Sequence, residues 1–144
     1  MRLLSYLFIL FTIYSCKQVA YQQNSIPSEH IEFGYLNSKT GASNAFILAD
    51  NGQLFQKDIV QNRFLAGRRI NQKDADFIYS TVGQLKSGNS GLYQISEETL
   101  FVRIRKNNTL VQEWKWKKGS EELPREIQKL DLLLTHILED RLGN

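Results

Sequence analysis

The side chains that most often act as nucleophiles, proton carriers or metal ligands are scarce in this chain. It has one cysteine, Cys16, and two histidines, His30 and His136. Two histidines cannot build a three-histidine zinc centre, and no G-x-S-x-G, P-loop, H-E-x-x-H or dinucleotide-binding fingerprint occurs. We expect His30 in a polar linker and His136 on the polar side of a helix, both in contact with solvent. The sequence therefore predicts no catalytic residue, no metal ligand and no cofactor, and we expect the protein not to be an enzyme.

Cys16 follows a segment that is typical of a secretory leader. Arg2 is the only charged residue before Lys17, and residues 3–14 form a largely apolar run. A helix of that length rises about 18 Å, whereas a hydrocarbon core is about 30 Å thick, so the run is too short for a permanent span. The run ends in Ile13-Tyr14-Ser15-Cys16, which resembles a bacterial lipobox. In a lipobox, a small residue precedes the cysteine that becomes lipidated.

We therefore predict that residues 1–15 are a lipoprotein signal peptide and that Cys16 becomes the lipidated N-terminus. The only thiol of the chain lies where signal peptidase II acts, so none remains to be oxidised in the periplasm. One acyl chain binds a membrane weakly, but a cysteine carrying two or three chains such as palmitate gives stable attachment. A membrane is thus the first expected partner. The alternative is a conventional leader in which Cys16 stays a free thiol.

Composition and charge are those of one ordinary globular domain. The 144 residues are 42% hydrophobic and 23% charged, which excludes a disordered chain and a polytopic membrane protein. Cleavage of the leader removes Arg2 and no acid, so the formal net charge falls from +3 to +2. This balance is too weak for the basic footprint of a nucleic-acid binder, and we expect no nucleic-acid partner.

One group of cations could contact an anionic partner. It surrounds residues 58–70, a segment whose pattern assigns neither helix nor strand. Loops carry function more often than sheet faces do. We predict that this group contacts an anionic partner, such as lipid headgroups or phosphorylated glycans, and that its members are Arg63, Arg68, Arg69 and Lys73.

The elements that must position these residues form one domain behind a tether. Residues 16–30 are polar and aperiodic, which is typical of a flexible linker, and residues 31–144 form a single globular domain. Two successive units, roughly 31–86 and 91–142, each place strands before an amphipathic helix. The prediction is a two-layer α+β fold: antiparallel β-meanders are each followed by a helix, and the helices pack on the sheet.

Three local signals carry most of this assignment. Asn71 is a candidate N-cap for a helix over residues 72–86, and apolar residues at helical spacing predict a second helix over 124–142. Asp50-Asn51-Gly52 indicates a tight turn between two strands, for which we predict type I′ geometry.

The pairing of the last two strands depends on the length of the loop between them. A two-residue loop at 107–108 would place Val102 opposite Glu113, which mixes apolar and charged residues on one face. A loop longer by one residue pairs Val102 with Gln112 and makes that face apolar. We therefore predict a bulged turn with the three-residue loop Lys106-Asn107-Asn108, in which Asn108 lies in the left-handed region.

The segment Trp114-Lys115-Trp116-Lys117-Lys118 has the composition of a basic and aromatic binding stripe. In the predicted register, however, both tryptophans lie on the apolar face, so core packing is the better interpretation. The basic residues of this hairpin then form a cationic outer surface made of Arg103, Arg105, Lys115 and Lys117.

A further pattern lies in the first hairpins. Thr40-Gly41-Ala42 is followed by Phe46-x-Leu48-x-Asp50-Asn51-Gly52-x-Leu54-Phe55. Behind a lipobox leader, this pattern resembles small lipoproteins of Bacteroidota-type bacteria, a group with no assigned activity. The resemblance implies export to the cell envelope and lipidation. The start Cys-Lys-Gln lacks the acidic run that resembles the surface-export signal of such bacteria, which favours the periplasmic face of the outer membrane over the cell surface.

These observations predict a lipid-anchored interaction module of the cell envelope that has no catalytic activity. Its expected partner is another envelope protein or a glycan. One alternative is a periplasmic inhibitor or immunity-type lipoprotein, which blocks a cell-wall hydrolase by inserting a loop. Another is a hydrolase that uses only Asp and Glu, because paired carboxylates leave no linear signature.

Overall fold

The computed structural model describes residues 25–58, 63–88 and 92–142. The predicted signal peptide and the predicted lipid site at Cys16 lie outside these residues. The described chain belongs to the α+β class, with one six-stranded antiparallel sheet and two helices, which confirms the predicted class.

The strands and helices follow one another in a simple order. The first four strands are β1 (Glu29–Asn37), β2 (Ser43–Leu48), β3 (Gln53–Asp58) and β4 (Arg63–Arg69). They are followed by α1 (Gln72–Ser87), β5 (Glu98–Lys106), β6 (Thr109–Lys117) and α2 (Arg125–Leu142). The spatial order of the strands is β4-β3-β2-β1-β5-β6, so β1 lies at the centre between β2 and β5.

The core lies between one face of the sheet and the two helices. In β1, Ile31 and Phe33 point into it while Glu32 between them points away, as the two-residue period of a strand requires. Residues from β1, β2, β3, β5, β6 and both helices form one continuous apolar cluster. Trp114 and Trp116 belong to it and are fully buried, so they pack in the core as the sequence predicts.

Both predicted helices are present. Asn71 is the N-cap of α1, and its side-chain oxygen accepts a hydrogen bond from the backbone N–H of Asp74 at 2.8 Å. α2 begins directly after Pro124, which has no N–H to leave unpaired at a helix start. In the part of the chain that the structure describes, neither helix has the length and the apolar content that crossing a membrane requires.

The hairpin between β5 and β6 differs from its prediction in loop length. Asn107 and Asn108 both have positive φ, at 50° and 63°, which is a two-residue type I′ turn; the left-handed Asn108 is confirmed, but the longer loop is wrong. A bulge between Ile104 and Arg105 shifts the register, so that Val102 faces Trp114. The bulge therefore restores the apolar face that the loop was expected to restore.

The turn between β2 and β3 also differs in type. Of its residues only Gly52 has a positive φ, at 78°, so the predicted type I′ geometry is wrong. Gly52 donates its N–H to the carbonyl of Ala49 at 2.9 Å, and the Asn51 side chain accepts from the N–H of Gln53 at 2.9 Å. This is a three-residue loop with glycine at the left-handed position.

Candidate functional site

The face of the sheet that points away from the helices carries the candidate site, and we call it the open face. Over the described ranges, both helices pack on the opposite face. The open face has a small apolar cluster of its own, made of Ile47, Ala49 and Phe55, against which Ile26 and Phe64 pack. Charged side chains of β1, β5 and β6 lie beside this cluster.

Five charged side chains of alternating sign cross the open face in one chain of ion pairs, which we call the charge chain. Glu32, Arg103 and Glu113 lie directly opposite one another on β1, β5 and β6. Arg103 binds both carboxylates, Glu113 through Nε and Glu32 through Nη1, the latter at 3.1 Å. Arg105 binds the other oxygen of Glu32, and Lys115 binds Glu113 at 2.9 Å. Three cations and two carboxylates leave the charge chain with a net charge of +1, so Glu32 and Glu113 compensate most of the positive charge that the sequence predicts on this surface.

The ion pairs of the charge chain outweigh the cost of its partial burial. Burial alone would raise the pKa of Glu113, but hydrogen bonds from Lys115 and Arg103 outweigh burial and hold this pKa below its ordinary value. The hydrogen bond to Glu113 raises the pKa of Lys115. Aromatic rings complete the surroundings, because Arg103 stacks on Phe101 at 4.1 Å and Lys115 lies 5.0 Å from the ring centre of Tyr93.

A basin of about 310 Å³ adjoins the Arg105 end of the charge chain. Its apolar wall is formed by Ala45, Ile47 and Phe64, which come from β2 and β4. We call it the basin, and its polar wall is formed by His30, Glu32, Lys57 and Arg105. These residues come from five different strands, so only the folded sheet brings them together.

His30 is a central part of this basin rather than a solvated linker residue. β1 begins at Glu29, two residues before the predicted start of the domain, and the His30 side chain is only 4% exposed. Its Nδ1 lies 2.9 Å from the carbonyl oxygen of Pro27. Because a carbonyl oxygen only accepts, Nδ1 carries the proton in the neutral ring and Nε2 is an acceptor.

The two cations of the basin differ in how they are engaged. Arg105 donates from Nε to Glu32 and from Nη1 to the carbonyl oxygen of Asn108 at 3.1 Å. Lys57 is exposed, and among residues 25–58, 63–88 and 92–142 it has no ion-pair partner. The basin therefore presents one compensated and one uncompensated cation next to an apolar wall.

The predicted cation group is spread over an edge strand instead of one loop. Arg63 and Arg69 lie at the two ends of β4, opposite Asp58 and Gln53 respectively. At about 3.3 Å per residue, β4 separates its ends by nearly 20 Å. Arg68, Arg69 and Lys73 lie near one another along the chain, where β4 passes into α1. The length of β4 thus separates Arg63 from Arg69, and contact of the four cations with an anionic partner stays a prediction.

Other sequence candidates have structural roles or stay at the surface. Trp114 and Trp116 are buried and offer no binding stripe. His136 is exposed on α2, as expected. Within the described ranges, no group of three His, Cys, Asp or Glu residues is arranged to hold a metal ion.

Sequence reasoning missed the basin, because no linear motif joins its residues. One signal was available: Glu32 is a charged residue in the middle of an otherwise apolar strand. A buried carboxylate at such a position requires cationic partners.

Comparison with known proteins identified no relative of this chain. No protein-family profile, no curated protein and no solved structure matches this chain. The functional argument therefore depends on the residues and on the geometry described above.

Proposed function

We propose that this chain is a lipid-anchored protein of the bacterial cell envelope that acts as a non-catalytic interaction module. In this proposal Cys16 carries the lipid, residues 17–24 act as a tether, and the domain faces the periplasm from the outer membrane. The two halves of the chain, each a set of antiparallel strands closed by a helix, form a two-layer domain that leaves one sheet face for binding. The partner is another envelope protein or a glycan.

The observation that carries the proposal is the open face with its basin. A soluble domain commonly covers or solvates such a face, but here it combines half-buried charges, an apolar cluster and a concavity. Concave sites that join an apolar wall to a few convergent polar groups are the usual place for ligand binding. We therefore assign partner binding to the open face.

The state of the acidic side chains supports a role without catalysis. Glu32 and Glu113 both bind cations on the open face, Glu32 through both of its oxygens. A general acid must hold a proton near neutral pH, and the lowered pKa of Glu113 opposes this. These carboxylates are better suited to hold the sheet surface than to transfer protons.

Photo-cross-linking in intact cells tests this assignment. A photo-reactive phenylalanine analogue replaces Phe64 in the basin, or Leu132 on α2, which is 70% exposed and distant from the open face. We expect one discrete envelope partner to be captured from position 64 and not from position 132. Capture of the same proteins from both positions, or of none from position 64, would contradict the assignment.

A second candidate function is the inhibitor or immunity-type lipoprotein, and the β5–β6 hairpin favours it. Its turn has only two residues, and the next residues, Leu110 and Val111, are apolar and about half exposed. A narrow apolar hairpin tip of this kind suits insertion into the cleft of a cell-wall hydrolase. In that case we expect a stoichiometric complex with such a hydrolase, and we expect Leu110→Asp to abolish this complex. A cross-link from position 64 should then either not form in the wild type or disappear together with the complex in Leu110→Asp.

A further inference from the structure

We propose that the basin binds the C-terminal carboxylate of a peptide whose last side chain is small and apolar. This inference rests on the proposed function, because it names the chemical group of the partner that the open face recognises. Three features of the basin point to this ligand: its charge, the acceptor that His30 supplies, and its apolar wall.

The charge of the basin matches one carboxylate. Lys57 and Arg105 bring two positive charges and Glu32 brings one negative charge, while Glu32 is also shared with Arg103. Arg105 directs Nε and Nη1 to protein oxygens, and its Nη2 makes no hydrogen bond within the described part of the chain. The guanidinium edge and the Lys57 amine thus remain as donors for an anion. An excess of one positive charge suits a singly charged carboxylate better than a phosphate, which carries nearly two negative charges at neutral pH.

His30 supplies a hydrogen-bond acceptor for the peptide. The residue that carries the C-terminal carboxylate also has an amide N–H, and this N–H needs an acceptor. In the tautomer in which Nδ1 donates to the carbonyl oxygen of Pro27, Nε2 of His30 is that acceptor. The side chain is more than nine-tenths buried and lines the basin, so its orientation is fixed before any ligand arrives. A free carboxylic acid without the amide would leave this acceptor unused.

The apolar wall sets the size of the last side chain. Ala45, Ile47 and Phe64 form a surface that a methyl or a short branched group can cover. A volume of about 310 Å³ is at the lower end of the range for ligand sites, about 300–1,000 Å³. The basin is therefore matched to a chain end rather than to a long peptide segment.

Isothermal titration calorimetry of the full lipidated chain in detergent micelles tests the inference. The probe is N-acetyl-alanyl-alanine as the free acid, compared with its C-terminal amide. We expect one molecule of the acid to bind per chain and the amide to bind at least tenfold more weakly. Lys57→Gln should weaken binding of the acid about tenfold, whereas Lys129→Gln, the same charge change on α2, should leave it unchanged. Unaltered melting temperatures show that both variants fold.

Any of four results would overturn the inference. These are equal binding of acid and amide, equal weakening by the two lysine variants, tighter binding of inorganic phosphate than of the peptide acid, and absence of binding at millimolar peptide. The acid is titrated in both its L-alanyl-L-alanine and its D-alanyl-D-alanine form. Binding of either form supports the inference, and the form that binds more tightly shows the handedness of the source. If the peptide fails to bind while position 64 still captures one envelope partner, the carboxylate assignment falls and the interaction module stands.

Discussion

At the scale of single residues, the charge chain holds the open face in one arrangement. Three cations share two carboxylates across β1, β5 and β6, so each side chain is fixed by a neighbour on another strand. Because these groups are less than one third exposed, breaking one pair leaves another charge poorly solvated and without its partner. The basin depends on this, since Arg105 keeps its position through Glu32.

Glu113→Gln tests the charge chain. We expect the variant to be less stable at neutral pH by about 1–3 kcal/mol, because Arg103 and Lys115 lose a charged acceptor. Urea unfolding measures this difference. The matched control is Glu126→Gln, which removes an exposed helix pair with Lys129 and should change stability by less than about 0.5 kcal/mol. Equal losses of stability in the two variants would show that the charge chain contributes no more than an exposed ion pair does.

The pH dependence of the same pair has a defined sign. The folded-state pKa of Glu113 lies below the ordinary 4.5, so its stabilisation is fully present above pH 4.5 and is lost as pH falls through the folded-state pKa. We expect the stability difference between the wild type and Glu113→Gln to be constant near neutrality and to shrink below about pH 4.5. A difference that grows on acidification would contradict this account.

Asp131 tests a buried contact between α2 and the end of β6. Its carboxylate accepts from Trp116 Nε1 at 2.8 Å and from the backbone N–H of Gly119 at 3.0 Å. Asp131→Ala leaves the buried indole N–H of Trp116 and the partly buried N–H of Gly119 without an acceptor, and should cost about 2–4 kcal/mol in unfolding free energy. Asp131→Asn keeps one acceptor, so its loss of unfolding free energy should be clearly smaller. Chemical denaturation that gives the Asn and Ala variants the same stability would contradict this role of Asp131.

At the scale of elements, the central strand β1 depends on a glycine. A Cβ atom at Gly34 would lie 2.0 Å from the carbonyl oxygen of Asn44 and 2.6 Å from the Phe101 ring. The Phe101 ring therefore packs directly on the β1 backbone, and Arg103 stacks on the same ring. The absence of a side chain at Gly34 thus makes room for the ring on which Arg103 of the charge chain stacks.

Substitutions at two glycines distinguish a glycine that is required for close packing from one that only makes the backbone more flexible. Gly34→Ala should destabilise the domain by about 3 kcal/mol, because β2 or Phe101 must move. Gly83→Ala lies on α1 with nothing within 4 Å of the new atom, so it should stabilise by about 0.5–1 kcal/mol through helix propensity. Thermal unfolding of both variants measures the pair, and shifts of the same sign would contradict the assignment.

Local signals predicted the helices and the burial of the tryptophans, because capping, helical spacing and alternation act over a few residues. The loop at 107–108 was misjudged since a bulge can restore parity as well as a longer loop can, and the sequence does not distinguish the two. β4 gave no alternation because it is an edge strand whose residues are almost all exposed. The basin could not be predicted, since Glu32 and Arg105 are separated by 73 residues and meet only through the pairing of β1 with β5.

At the scale of the whole molecule, the chain enters the domain along the open face. Ile26 packs on the apolar cluster of that face, and Ser28 accepts a hydrogen bond from the N–H of Asn107 at 2.7 Å. The segment that connects the proposed lipid site to the domain therefore joins it beside the basin. In our account, the lipid anchor and the binding face act together: the anchor limits the search to the envelope, and the open face selects the partner.

The most direct test of this account is the fate of Cys16. Labelled palmitate and membrane fractionation are compared for the wild type, Cys16→Ser and Ser15→Ala, the last of which keeps a small residue before the cysteine. We predict that the wild type and Ser15→Ala incorporate palmitate and sediment with the outer membrane, whereas Cys16→Ser incorporates none and leaves that fraction. Unchanged fractionation of Cys16→Ser, or a wild type without palmitate, would contradict the account.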